Sequence, residues 1–163
     1  MLDTILTLGL AIAKTNEILV GTCVIDILFH NPVILARNFA TLDVFSQGRT
    51  IAGFGIGWSK DEYQSSNIPF NNKGKRTDEY IQVLKKIWQD NIVEFKGEFY
   101  NIQASKIRPK PIQKPIIPIY LGGFSPNTFT RIVNQDTNGW LGILGGLIED
   151  NENIGNIIEK NAK

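Results

Sequence analysis

The chain has 163 residues, 42% of them hydrophobic and 20% charged, which is the composition of one globular domain and excludes a disordered or fibrous polypeptide. Its 17 Lys and Arg against 16 Asp and Glu leave a net charge of +1, so no global field draws it to nucleic acid or to an anionic membrane. A single Cys excludes an internally disulfide-stapled scaffold and indicates a reducing, cytoplasmic setting, and one Cys with one His falls short of a tetrahedral zinc set.

The apolar run from Thr4 to Ala13 is far shorter than the roughly 20 residues of a spanning helix, and Leu2 to Lys14 reads as a buried helix. Ile18 to Ile25 is a β-branched run without polar alternation, the pattern of a strand buried on both faces. Asn31-Pro32 supplies a cap and a first-turn proline for a helix carrying Ile34, Leu35, Phe39, Leu42 and Phe45, which stops near Gly48. Thr50 to Ile56 reads as the next strand, and Ser59 to Lys75 as a polar loop. A helix capped by Thr77 follows, its apolar face being Tyr80, Val83, Leu84, Ile87 and Trp88. Ile92 to Phe95 and Glu98 to Ile102 form a hairpin about Lys96-Gly97.

Residues 107–118 hold four prolines, within RPKPIQKPIIP, and form an extended connector inside a single domain over 1–163. Ile119 to Leu121 is a short strand, Ser125-Pro126 opens another helix, Trp140 to Leu144 is a last strand, and Glu149 to Lys160 a last helix. Buried strands alternating with helices imply an α/β fold with parallel pairing. A (β/α) barrel and an open doubly wound sheet both meet that description.

Two glycine clusters carry the chemistry. Gly53-Phe54-Gly55-Ile56-Gly57-Trp58 is either a close-packed strand end or a place where backbone approaches a phosphate or flat ring; its spacing is not the dinucleotide fingerprint. Gly122-Gly123-Phe124-Ser125-Pro126 places two small residues before a helix N-terminus, an anion site, with a simple turn capped by Ser125 as the alternative. His30 reads as a loop contact rather than a general base, and Cys23 as a small buried hydrophobe within its strand. Asp26, Asp61 and Glu62 fall in loops at strand ends, where barrel enzymes place catalytic groups, although solvation is the ordinary fate of such charges. Lys73, Lys75 and Arg76 read as a solvated helix entrance.

The series ILVGTCV, HNPVILARNFATLDVFSQGRTIAGFGIGW, KRTDEYIQVLKKIW, EFKGEFYNI, RPKPIQKPIIPIYLGGFSP and NGW resembles the luciferase-like monooxygenase superfamily. Within it, the chain is most similar to the coenzyme F420-dependent oxidoreductase branch, the match running in order from about Leu2 to Trp140. The resemblance implies a TIM barrel that binds FMN or coenzyme F420 and acts as an oxidoreductase or monooxygenase on a small organic substrate. It also implies site residues. Cys23 and Val24 match the end of the family's third strand, where a non-proline cis peptide often faces the cofactor ring. Gly55, Gly57 and Trp58 match the fourth-strand end that lines the cofactor cleft, and Gly122, Gly123 and Ser125 the turn near the cofactor's phosphate. No residue is assigned as a catalytic acid or base, and no metal is implied.

Two departures qualify the resemblance. Asn138-Gly139-Trp140 stands where the family usually has Asp-Gly-Trp. The match also begins near the helix before the family's third strand and ends soon after the sixth, which implies a partial barrel of about strands three to six of eight. A truncated, non-catalytic homologue retaining at most cofactor binding is therefore the alternative function. An opened barrel exposes sheet edges, and a homodimer or self-association through those edges is expected, with neither nucleic acid nor membrane as partner.

Overall fold

The computed structural model describes residues 2–142. Helix α1 spans Thr4–Lys14, capped by Asp3, whose carboxylate accepts from the Leu6 N–H at 2.8 Å. The expectation of a buried helix is corrected: Ile12 is its buried residue, while Leu2, Leu6 and Leu10 are 81%, 75% and 63% exposed. Their spacing makes one apolar stripe that no described element covers.

The run predicted as one continuous strand is also corrected. It divides into β1 (Val20–Gly21) and β2 (Ile25–Asp26), and Ile18, Leu19, Cys23 and Val24 are exposed. The reason is Thr22, which is buried between the two pieces. Its hydroxyl donates to the Gly53 carbonyl at 2.5 Å and accepts from the Gly53 N–H at 3.0 Å, so a side chain replaces the backbone ladder there.

A 3-10 turn at Ile27–Phe29 leads to α2 (Pro32–Phe45), where Asn31 caps as predicted by accepting from the Val33 and Ile34 N–H groups. Strand β3 (Thr50–Gly55) follows. The predicted polar loop contains a short helix, α3 (Lys60–Ser65), capped by Ser59. Helix α4 (Lys73–Gln89) begins ahead of the predicted cap, because Asn72, at φ 59°, turns the chain into the helix without a side-chain cap. Thr77 therefore lies within α4 and is buried. The predicted apolar face is buried in full, and the Trp88 indole N–H donates to the Ala36 carbonyl at 3.0 Å, joining α4 to α2.

Strands β4 (Val93–Lys96) and β5 (Asn101–Ser105) form an antiparallel hairpin apart from the main sheet. The connector then runs without regular structure, held to α2 by Asp43, whose buried carboxylate accepts from the Ile112 and Gln113 N–H groups. Strand β6 (Ile119–Gly122), helix α5 (Pro126–Asn134) and strand β7 (Gly139–Leu141) complete the described elements. The end of the predicted last strand and the predicted helix from Glu149 to Lys160 lie outside the described residues.

The main sheet is parallel, in the order β1-β3-β6-β7, with β2 pairing further along β3. This order decides between the two architectures the sequence leaves open. A doubly wound sheet reverses direction at a central crevice; here, among the described residues, chain order and spatial order coincide. Right-handed crossovers without reversal keep the helices on one face, as in the wall of a barrel. On that face Phe39, Phe54, Leu84, Trp88 and Ile119 belong to one buried core. Phe54 and Leu121 point into it, so by strand alternation Gly53, Gly55 and Gly122 face the other side.

Candidate functional site

Strand β2 and the carboxyl ends of β3 and β6 meet at one rim. The Cys23–Val24 peptide there is cis, and Cys23 is exposed rather than buried in a strand. The Val24 side chain rests on two glycines at once. A Cβ at Gly55 would lie 2.7 Å from one Val24 methyl, and a Cβ at Gly122 would lie 2.8 Å from the other. Both positions must be bare for Val24 to sit where it does. Val24, Gly55 and Gly122, predicted from three separate stretches of sequence, are thus in direct contact.

The other predicted residues surround this cluster. Gly57 has φ +70°, and its N–H donates to Asp26 Oδ1 at 2.9 Å. Trp58, next in the chain, is 86% exposed. Gly123 has φ +116°, and its carbonyl accepts from the Trp140 indole N–H at 2.7 Å. Ser125 precedes α5 with extended backbone but, contrary to the cap reading, its side chain accepts nothing from the first-turn N–H groups; its backbone carbonyl takes the Thr128 N–H at 2.8 Å. Its hydroxyl lies 3.3 Å from the Thr128 hydroxyl instead.

Sequence reading names the charges beside this rim but takes them as solvated or loop groups. Asp26 shares a strand face with Val24, a period-two relation visible once the strand break is known. Burial pushes the Asp26 carboxyl above its ordinary value, against the opposing pull of the Gly57 N–H, Lys73 and His30. Lys73 is not the freely solvated charge predicted: its ammonium donates to the Gly57 carbonyl at 2.9 Å and lies 4.1 Å from the Phe70 ring centre. Burial lowers its pKa, with Asp26 opposing. Arg76 is likewise engaged, donating to the Pro69 carbonyl, whereas Lys75 is exposed as predicted. Asp61 and Glu62 are exposed, in the first turn of α3 rather than in a loop. Burial lowers the His30 pKa, with Asp3 and Asp26 opposing.

Asn138 shows what its place requires. Its side-chain oxygen accepts from the Ile119 N–H at 2.8 Å and its own N–H donates to the Ile119 carbonyl at 2.7 Å, docking the start of β7 onto β6. An acceptor is needed there and a charge is not. Among the described residues, no group of three His, Cys, Asp or Glu side chains is placed to hold a metal ion, and no helix is long and apolar enough to cross a membrane.

Comparison with known proteins places this rim in context. The luciferase-like monooxygenase family model matches residues 1–161. An uncharacterized protein of Mycobacterium tuberculosis strain H37Rv is 32% identical over 140 residues, 86% of this chain and 49% of that protein. An FMNH2-dependent dimethylsulfone monooxygenase of Pseudomonas putida is 34% identical over 98 residues, 58% of this chain and 27% of that protein. Among solved structures, the coenzyme F420-dependent tetrahydromethanopterin reductase of Methanopyrus kandleri aligns with a TM-score of 0.76 at 26% identity, over 86% of this chain and 44% of that one. The chain therefore spans about half the length, or less, of the relatives it matches, and its parallel sheet is an arc of their (β/α) barrel. Family model, fold and rim agree that the chain belongs to the luciferase-like monooxygenases, a family of flavin- and F420-dependent oxidoreductases and monooxygenases.

Proposed function

We propose that this chain forms a cofactor-binding rim of a flavin- or deazaflavin-dependent oxidoreductase of the luciferase-like type, taking FMN or coenzyme F420 and acting on a small organic substrate. One observation carries the reading: Val24 seated on Gly55 and Gly122. Three strand ends there present backbone and one small side chain in place of bulky groups, a floor that a flat tricyclic ring can approach closely. The turn beyond it fits a phosphate. The Ser125 side chain caps no first-turn N–H of α5, and the positive end of a helix dipole favours an anion.

Cys23, Val24, Gly55, Gly57 and Trp58 would flank the ring, and Gly122, Gly123 and Ser125 the phosphate. When bound, FMN or F420 supplies the hydride or oxygen chemistry, while the chain binds and orients it. The similarity to an FMNH2-dependent enzyme and to an F420-dependent one supports both ligands equally.

The test is titration of the purified chain into FMN and into F420, followed by ligand fluorescence. Saturable binding of either is expected. Gly122→Val should abolish it, because the new side chain would take the space that Val24 occupies. A wild-type chain that saturates with neither ligand would refute the reading. A non-catalytic homologue is the second reading, favoured by the chain's spanning about half of its relatives; saturable binding without turnover would select it.

Assembly is part of the same proposal. Strand β1 pairs with β3 and, among the described residues, has no strand on its other side. The exposed stripe of α1 adds apolar surface, and a second copy of the chain would cover both.

A further inference from the structure

We propose that Asp26 and Lys73 are positioning residues that clamp Gly57 by its N–H and by its carbonyl, in the two peptide groups that flank its Cα, and so fix where Trp58 stands on the rim. The proposal rests on the cofactor-rim reading for its functional consequence, but its geometry is independent of any ligand. Asp26 Oδ1 receives the Gly57 N–H at 2.9 Å, and the Lys73 ammonium reaches the Gly57 carbonyl at the same distance from α4. Gly57 is confined between them. At φ +70° it holds a conformation that side chains disfavour, and a Cβ there would lie 3.1 Å from the Tyr63 ring and 3.3 Å from the Phe29 ring. Tyr63 adds a third tie by donating its hydroxyl to the Ile56 carbonyl.

Trp58 has no comparable hold of its own, since its side chain is 86% exposed. Its place is set by backbone on both sides: Gly57 in the clamp, and Ser59, whose hydroxyl accepts from the Glu62 N–H at 3.3 Å to start α3. The charged and titratable groups facing Asp26 are Lys73 from α4, His30 after the 3-10 turn and Tyr63 from α3. The carboxylate and the ammonium are both partly withdrawn from water, which strengthens their hold on the residue between them.

The experiment reads the emission of Trp58 alone, as the difference between each protein and its Trp58→Phe counterpart, together with the affinity for FMN and F420. Asp26→Ala removes the acceptor. Lys73→Met removes the donor but keeps the stem over Phe70. Asp26→Asn keeps an acceptor for the Gly57 N–H. Asp26→Ala and Lys73→Met are expected to shift the Trp58 emission and to weaken cofactor binding about tenfold. Asp26→Asn should stay within about twofold of wild type.

Unaltered emission and affinity in both Asp26→Ala and Lys73→Met would overturn the clamp. If Asp26→Ala loses its far-UV circular dichroism, Lys73→Met alone decides for or against it. If the wild type binds neither ligand, the rim reading falls, while the emission response still decides the clamp.

Discussion

At Gly53 an added Cβ would lie 1.8 Å from the Thr22 carbonyl oxygen, a backbone atom that cannot rotate away. Gly53→Ala must therefore push β1 off β3, and it is expected to cost about 3 kcal/mol, read from the urea midpoint. A loss below about 1 kcal/mol would mean that the approach relaxes freely. Asn138 makes the opposite point, because its contribution is one acceptor atom. Asn138→Ala leaves the Ile119 N–H without that partner and is expected to cost about 1–2 kcal/mol, whereas Asn138→Asp retains the bond.

Asp26 makes the fold pH-dependent. Its carboxyl is raised above 3.8, so the folded chain holds this proton more tightly than the unfolded one. The contribution weakens the fold as pH rises from 3.8 through the raised value. Asp26→Asn removes it, and the stability of the variant relative to wild type should grow between acid and neutral pH; a constant difference would contradict the assignment. The glycine run about Gly55 is legible in the sequence, but the reasons for its members are not. Gly53 yields to a carbonyl, Gly55 to Val24 and Asp26, and Gly57 to its own backbone angle.

Among the elements, the β4–β5 hairpin depends on a side chain from another element. Glu79, on α4, accepts from the N–H groups of Glu98, Phe99 and Tyr100, closing a turn wider than the Lys96-Gly97 bend expected from sequence. Glu79→Ala should speed amide hydrogen exchange at those three residues while leaving the protected core of α4 unchanged; equal exchange in both proteins would show that the turn holds itself. The connector is anchored in the same manner. Asp43 on α2 takes the Ile112 and Gln113 N–H groups, and Lys110 donates to the Ile87 and Asp90 carbonyls near the end of α4. Prolines make this segment extended, whereas its path is chosen by carboxylates and carbonyls distant in sequence. The start of α2 at Asn31-Pro32 is legible because cap and proline act within one turn. The start of α4 is not, because it rests on the left-handed backbone of Asn72 rather than on a side-chain cap.

For the whole molecule the decisive quantity is strand order. Four consecutive parallel positions without reversal make an arc, and an arc of a barrel has an edge and an inner face to cover. The proposed second copy accounts for the apolar stripe of α1. Sedimentation of the wild-type chain is expected to show a dimer, and Leu6→Lys with Leu10→Lys to shift it toward monomer. The thermal midpoint of the monomer should be little changed, because both side chains already face solvent. A wild type sedimenting as a single species of 18.3 kDa would sink the assembly.

The sequence by itself determined the alternation of strands and helices, the buried stripe of α4, the capped start of α2 and the family, because caps, periods and motifs act among near neighbours. Tertiary structure alone decided that Ile18 to Ile25 breaks at Thr22, that Val24 lands on Gly55 and Gly122, and that Asp26 and Lys73 reach the same residue, Gly57. Each of these joins residues 16 or more positions apart. An apolar run reads alike at an edge or in a core, and the difference lies in what the rest of the chain brings against it.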